Sequence, residues 1–165
     1  KSAASASKEV WEPLFNGRNL DGWVVKLAHH ETGDNFVDTF RAEDGVIRVS
    51  YDRYPEFGTR FGHLFYKKKL SHFKLRLEYR FYGEQMKDGP NYAKLNSGIM
   101  FHSQAPETIL KEQDWPISVE AQFLAGGRTT MKPNSTMLAS IRPAARQWLE
   151  VAGAPVFTAS ANGRR

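Results

Sequence analysis

Two short segments of the chain carry residues that could move protons. Residues 117–123 alternate apolar and polar side chains, so a strand there would place Glu120 and Gln122 on one face, opposite the apolar residues. Residues 96–102 form a second strand-like segment, in which the same period places His102 on the side of Met100. Carboxylates and imidazoles commonly act as general acids and bases, so we expect a site on this face.

A third polar row comes from residues 73–82, the longest strictly alternating stretch in the chain. Its apolar face begins at Phe73, and its other face carries Arg76, Glu78, Arg80 and Tyr82. If the three segments lie in one sheet, their polar residues share its outer face. A solvated outer face is the alternative, but Glu, Arg, His, Gln and Tyr side chains are also groups that hydrogen-bond sugars and transfer protons.

The chemistry of this face has several open interpretations. Glu78 and Glu120 form a candidate glycosidase pair, for which the carboxyl groups would need to lie about 5 Å or about 6.5 to 9.5 Å apart. An ion pair between Glu78 and Arg76 or Arg80 is the structural alternative. His102 is a candidate base or, with Glu120, a candidate metal ligand, so a divalent metal ion remains open although no cofactor is predicted. His63, at a strand start after Gly62, is a further candidate for substrate binding.

The elements that must position these residues are strands. The Asp44-Gly45 pair between two apolar runs predicts a β-hairpin over residues 39–51. We count roughly eight to ten short strands separated by turn residues, with little helix, which is typical of an antiparallel β-sandwich or jelly roll. After Gly126-Gly127 the pattern weakens: residues 129–140 predict no firm strand, and residues 148–157 predict one.

Composition narrows the class of protein. The chain has 165 residues, 41% of them hydrophobic, which is enough for one domain with a core. The net charge of +5 is spread out apart from Lys67-Lys68-Lys69, so no nucleic-acid partner is predicted. There are no cysteines, and no apolar run has the length of a membrane span. The small polar residues 1–7 resemble the start of a processed exported protein or of a trimmed chain, and we expect residues 1–10 to be flexible.

Five blocks occur in order along the chain: Leu14 to Trp23, Phe40 to Ile47, Phe73 to Arg80, Asn96 to Ile99 and Ser118 to Gln122. Together they resemble a known family, the bacterial domain of unknown function 1080, also called the 3-keto-disaccharide hydrolase or 3-keto-glycoside lyase/hydratase domain. The likeness covers roughly residues 11–127. It implies a concanavalin A-like jelly roll over a single domain, 11–165, in a periplasmic or secreted bacterial protein. It also implies a small carbohydrate partner, a glycoside or disaccharide oxidised at C3.

The resemblance gives the polar residues candidate roles. A C3 ketone acidifies the C2 proton, which Glu120 or His102 would remove, while Arg80 would stabilise the enolate. Gln122 and Glu78 would orient hydroxyls. Two alternatives remain open: a carbohydrate-binding sandwich without catalysis, and a structural or partner-binding sandwich. The sequence departs from the family after about Arg128, which predicts a truncated or atypical C-terminal segment with exposed sheet edges, and it does not predict the oligomeric state.

Overall fold

The computed structural model describes residues 10–71 and 73–124, together with the backbone of three later strands. The helical elements within these ranges are three short 3-10 turns, Phe36–Asp38, Asn91–Ala93 and Pro106–Thr108. The strands, in chain order, are β1 (Glu12–Pro13), β2 (Trp23–Leu27), β3 (Phe40–Glu43), β4 (Val46–Val49), β5 (Gly62–Tyr66), β6 (Phe73–Arg80), β7 (Asn96–Ser103), β8 (Val119–Leu124), β9 (Ser135–Ile141), β10 (Trp148–Gly153) and β11 (Val156–Gly163).

These strands form two antiparallel sheets. The front sheet has the order β2-β5-β10-β7-β8. The back sheet has the order β3-β4-β11-β6-β9, with β1 paired to β11. The prediction of an all-β jelly-roll sandwich with little helix is confirmed.

The core lies between the two sheets, and the period of 2 is clearest in β6, whereas β5 is buried at every position. Leu75 and Leu77 of β6 are almost completely buried, as are Leu64 of β5 and Ile99 of β7. Tyr79 of the back sheet stacks on a front-sheet residue, Phe123, with ring centroids 4.3 Å apart. Because each fully buried apolar side chain contributes about 1.5 to 3 kcal/mol, this layer holds the sheets face to face.

The predicted hairpin at residues 39–51 is confirmed. β3 and β4 pair with each other and are joined by Asp44 and Gly45, which have φ values of 51° and 77°. A two-residue loop with both φ angles positive matches the right-handed twist of the flanking strands, and glycine adopts that conformation without a steric penalty. The hairpin carries Arg48 at an outward position of β4, between the buried Ile47 and Val49.

The single shared polar face expected from the sequence is wrong. β6 alternates as predicted, with Arg76, Glu78 and Arg80 exposed, but it belongs to the back sheet. β8, which carries Glu120 and Gln122, belongs to the front sheet. Since each sheet turns its outer face away from the core, the two polar rows lie on opposite sides of the sandwich.

The C-terminal segment contributes strands to both sheets. β9 occupies residues for which the sequence predicted no firm strand, and it pairs with β6. β10 lies between β5 and β7, and β11 lies between β4 and β6. The expected truncated or atypical character of this segment stays a prediction. Residues 1–10 were expected to be flexible, and residues 1–9 of that segment lie outside the described residues.

Candidate active site

A cavity of about 1180 Å³ lies where the front sheet meets the loops that precede β5 and β7. Of the six site residues predicted from the sequence, Glu120 and Gln122 line it. The other described lining residues come from the end of β4, the loop before β5, the connection between β6 and β7, and the loop before β8. They are residues 48–52, 57, 61, 62, 81–87, 89–97 and 115.

Glu120 reaches the cavity by lying across its neighbouring strand. Its register partner on β7 is Met100, and the next residue on the same face of β7 is Gly98. A β-carbon built on Gly98 would lie 2.1 Å from Glu120 Oε1 and 2.8 Å from its Cγ and Cδ. The absence of a side chain at residue 98 therefore creates the space that the carboxylate occupies.

Gln122 lies beside the carboxylate on the outer face of β8. It pairs in register with Gly98, and its Nε2 donates a hydrogen bond to Oδ1 of Asn96, at 3.0 Å. Phe123, the next residue, is 1% exposed in the core, as the predicted alternation requires, whereas Val119, predicted on the same face, is 51% exposed. The cavity thus has an amide pair next to a carboxylate, a combination suited to hydrogen-bonding sugar hydroxyls.

Three aromatic rings form a wall of the cavity, which we call the aromatic wall: Phe61, Tyr92 and Trp115. Phe61 is buried, with its ring centroid 4.5 Å from that of Trp115 and 6.3 Å from that of Tyr92. Trp115 and Tyr92 remain 44% and 60% exposed. Sequence reasoning missed this wall because its rings come from three separate loops, and neither the order nor the spacing of these residues marks them as neighbours.

His63 packs against Trp115 of the aromatic wall and is absent from the cavity lining. It is 1% exposed, and its Nε2 lies 2.7 Å from the carbonyl oxygen of Asp114. A carbonyl only accepts, so Nε2 carries the proton and donates. The imidazole also meets the Trp115 ring edge-on, with centroids 5.4 Å apart. The side chain predicted to bind substrate therefore holds the loop that presents Trp115.

His102 lies outside the cavity lining, although the period of 2 predicted that it would share the face of Glu120. The register between β7 and β10 shifts at this point: Phe101 pairs with Leu149 and Ser103 with Trp148, which leaves His102 as an extra residue. Its φ of 55° is left-handed, as expected at such a bulge. The bulge interrupts the alternation on which the placement of His102 beside Glu120 rested, and the role of His102 as a base stays a prediction.

Glu78 and Arg80 lie on the outer face of the back sheet, away from the cavity. Glu78 Oε1 accepts from Arg76 Nη2 at 2.6 Å, and both side chains are 54% exposed. An exposed ion pair contributes about 0 to 1 kcal/mol, so this is the structural alternative that the sequence left open. The candidate glycosidase pair of Glu78 with Glu120 is wrong, because the two carboxylates lie on opposite sides of the sandwich.

A cation that sequence reasoning missed, Arg48, lies in the cavity wall. Its Nη1 donates to Glu43 Oε2 at 3.0 Å, its Nε donates to the hydroxyl of Tyr82, and its guanidinium lies 5.0 Å from the centroid of the Tyr82 ring. These hydrogen bonds, first the one that Arg48 donates to Glu43, raise the pKa of Arg48 above its ordinary value. The outward position of an arginine in a predicted hairpin was the available signal, but the sequence does not show which loop lies opposite.

The loop between β6 and β7 is fastened to the loop before β5 by Asp88. Its carboxylate accepts hydrogen bonds from the backbone nitrogens of Phe57, at 2.8 Å, and Gly58, at 3.1 Å. These bonds lower the pKa of Asp88 below its ordinary value because they favour the charged form. These hydrogen bonds link the segment that carries Tyr92 to the loop before β5.

Within residues 10–71 and 73–124 no three His, Asp or Glu side chains come together in a geometry that could hold a metal ion. The short helical turns of the described ranges have neither the length nor the apolar character needed to cross a bilayer.

Comparison with known proteins gives one family and a set of similar folds. A family model described as a 3-keto-alpha-glucoside-1,2-lyase-like domain matches residues 10–155. No curated protein sequence matches the chain. Among solved structures, one mutant of the family 29 carbohydrate-binding module CBM29-2 shares 9% identity, with a TM-score of 0.48, covering 94% of this chain and 92% of that one. A second CBM29-2 mutant shares 10% identity, with a TM-score of 0.47 and coverages of 93% and 91%.

Proposed function

The chain belongs to the 3-keto-alpha-glucoside-1,2-lyase-like domain family, and we propose that it cleaves glycosides whose sugar carries a ketone at C3. Family membership supports a carbohydrate-related function, and the cavity supports the finer assignment. The observation that carries the proposal is the carboxylate of Glu120, which lies over Gly98 inside a cavity large enough for a disaccharide.

The proposed reaction is an elimination followed by hydration. Glu120 removes the C2 proton, the electron pair forms a C1=C2 double bond, and the C1–O bond breaks as the leaving oxygen takes up a proton. The products are an alcohol and an enone conjugated with the C3 carbonyl. Water then adds across the double bond, its hydroxyl to C1 and a proton to C2, which releases the free 3-keto sugar. No oxocarbenium ion forms, so one carboxylate is sufficient and a glycosidase pair is unnecessary.

The amide groups of the cavity have a role in binding the substrate. The amides of Gln122 and Asn96 would hydrogen-bond the sugar hydroxyls. Negative charge develops on the C3 oxygen during proton removal, and a guanidinium can stabilise it. Arg48 lines the cavity, but it projects outward from the back sheet and is held by Glu43 and Tyr82, so we do not assign it this role.

The experiment compares a 3-keto-disaccharide with its unoxidised parent. We expect turnover of the keto sugar alone, because the parent has no acidified C2 proton. Glu120→Gln should lower kcat by about a hundredfold or more, the size expected for loss of a general base, and leave the thermal unfolding midpoint unchanged. Glu78→Gln is the matched control, since it removes an exposed carboxylate from the opposite side of the sandwich. Equal turnover of both sugars, or equal loss in the two variants, would contradict the proposal.

Sugar binding without catalysis is the second candidate, and the exposed rings of Tyr92 and Trp115 favour it. Calorimetric titration with the keto sugar and with its parent separates the two functions. A binding module would bind either sugar and release no product at any enzyme concentration. The proposed lyase would bind the keto sugar and convert it.

A further inference from the structure

The aromatic wall has a defined place relative to the carboxylate, because the register of the front sheet connects them. His63 on β5 and Gly98 on β7 are both register partners of Ala152 on β10. They therefore lie in one row across the sheet, two strand spacings apart, which is about 10 Å. The Trp115 ring packs against His63, and the Glu120 carboxylate lies over Gly98.

The distance of about 10 Å between the two positions is larger than the distance over which a general base can remove a proton. A general base must come within about 3 Å of the atom that loses the proton, so the oxidised sugar ring lies at Glu120. A ring held against Trp115 is then one unit further along the row. In the proposed elimination, the group bonded to C1 beside the reacting C2 is the leaving group.

The chemistry of the wall indicates what kind of leaving group it takes. Trp115 and Tyr92 present large apolar ring surfaces with polar edges, and Phe61 backs them from the core side. Such rings pack against flat apolar faces and leave polar substituents in water. The apolar face of a pyranose and the face of an aryl group both fit this description, whereas a methyl group is too small to cover it.

We propose that Trp115 and Tyr92 form the leaving-group subsite, and that the subsite selects 3-keto-glycosides whose aglycone is a second pyranose ring or an aryl group. The inference rests on the proposed function, because it takes its orientation from Glu120 as the base. It goes further by assigning the aglycone specificity to residues of two loops, with His63 as the residue that positions Trp115.

The test measures binding separately from turnover. In a Glu120→Gln background, which keeps the ligand intact, calorimetry gives the affinities for methyl, phenyl and glucosyl 3-keto-glucosides. Adding Trp115→Ala should weaken phenyl and glucosyl binding about tenfold, as expected for loss of an aromatic contact, and methyl binding by less than about twofold. Trp115→Phe should restore much of the difference. Leu110→Ala is the control, since it truncates a 72% exposed side chain of the same loop outside the cavity lining.

The outcomes separate this inference from the proposed function. Equal weakening of all three ligands by Trp115→Ala, or no weakening, would overturn the subsite. A selective loss of phenyl and glucosyl binding, together with no conversion of any of the three ligands by the wild-type protein, would support the subsite and overturn the elimination chemistry. Absence of binding by any of the three would overturn both.

Discussion

Gly98→Ala is a small change that should separate catalysis from folding. The new β-carbon would lie 2.1 Å from Glu120 Oε1, far inside van der Waals contact. The backbone of Gly98 lies outside the left-handed region, so alanine is compatible with its conformation. The side chain of Glu120 is the part that can move, because it is flexible whereas the neighbouring strands are paired on both sides of β7.

The size of the effect follows from the displacement. Reaching ordinary contact at 3.4 Å requires the carboxylate oxygen to move by at least about 1.3 Å, and a displacement of about 1 Å already lowers the rate by about a hundredfold when geometry limits the reaction. Stability should change little, since alanine reduces the entropy of the unfolded chain by about 0.4 to 1 kcal/mol, which offsets part of the clash. We therefore expect kcat for a 3-keto-disaccharide to fall about a hundredfold with a nearly unchanged midpoint of urea unfolding.

A double variant distinguishes a displaced carboxylate from a damaged strand. Glu120→Asp shortens the side chain by one methylene, so in combination with Gly98→Ala it should lose less activity than the two single effects multiplied together. Kinetics at several substrate concentrations should assign the Gly98→Ala effect to kcat rather than to KM. Full activity in Gly98→Ala, or independent effects in the double variant, would refute the argument that Gly98 positions Glu120.

Three further predictions concern the parts around the site. Asp88 has a lowered pKa in the folded protein, so its contribution to stability is complete above about pH 4 and disappears as the pH falls through its folded-state pKa. Asp88→Asn should remove this pH dependence from acid-induced unfolding curves. Identical curves for the variant and the wild type would contradict the role of Asp88 in holding the two loops together. Leu77→Ala, at a fully buried position, should lower the free energy of unfolding by about 2 to 5 kcal/mol in urea titrations, whereas a loss below about 1 kcal/mol would contradict the packing. His102→Ala should leave keto-sugar turnover within about twofold of the wild-type rate, since the bulge places His102 outside the cavity lining, and a loss like that of a general base would restore the histidine as the base.

The sequence predicted those parts of the fold that local patterns determine. The alternation of β6, the turn at Asp44-Gly45 and the outward direction of Glu120 each depend on a few consecutive residues. The sheet to which each strand belongs depends on pairing between distant segments, and no local period encodes it. For this reason β6 could be predicted as a strand but not assigned to the sheet opposite β8.

The site was predicted in part for the same reason. Glu120 and Gln122 follow from the period of β8, but the bulge at His102 breaks a period that the residue types alone do not interrupt. The aromatic wall depends on loops whose positions are fixed by tertiary contacts, such as the hydrogen bond from His63 to Asp114. Side chains presented by loops therefore became candidates only when the structure brought them together.

Exchange at C2 tests the central claim most directly. A 3-keto-disaccharide labelled with deuterium at C2 would be incubated with the wild-type protein and with the Glu120→Gln and Glu78→Gln variants, and the deuterium released into water would be measured alongside the freed sugar. We predict release in step with cleavage by the wild type and by Glu78→Gln, and almost none by Glu120→Gln. Cleavage that retains the label, or undiminished release by Glu120→Gln, would contradict the assignment of Glu120 as the base.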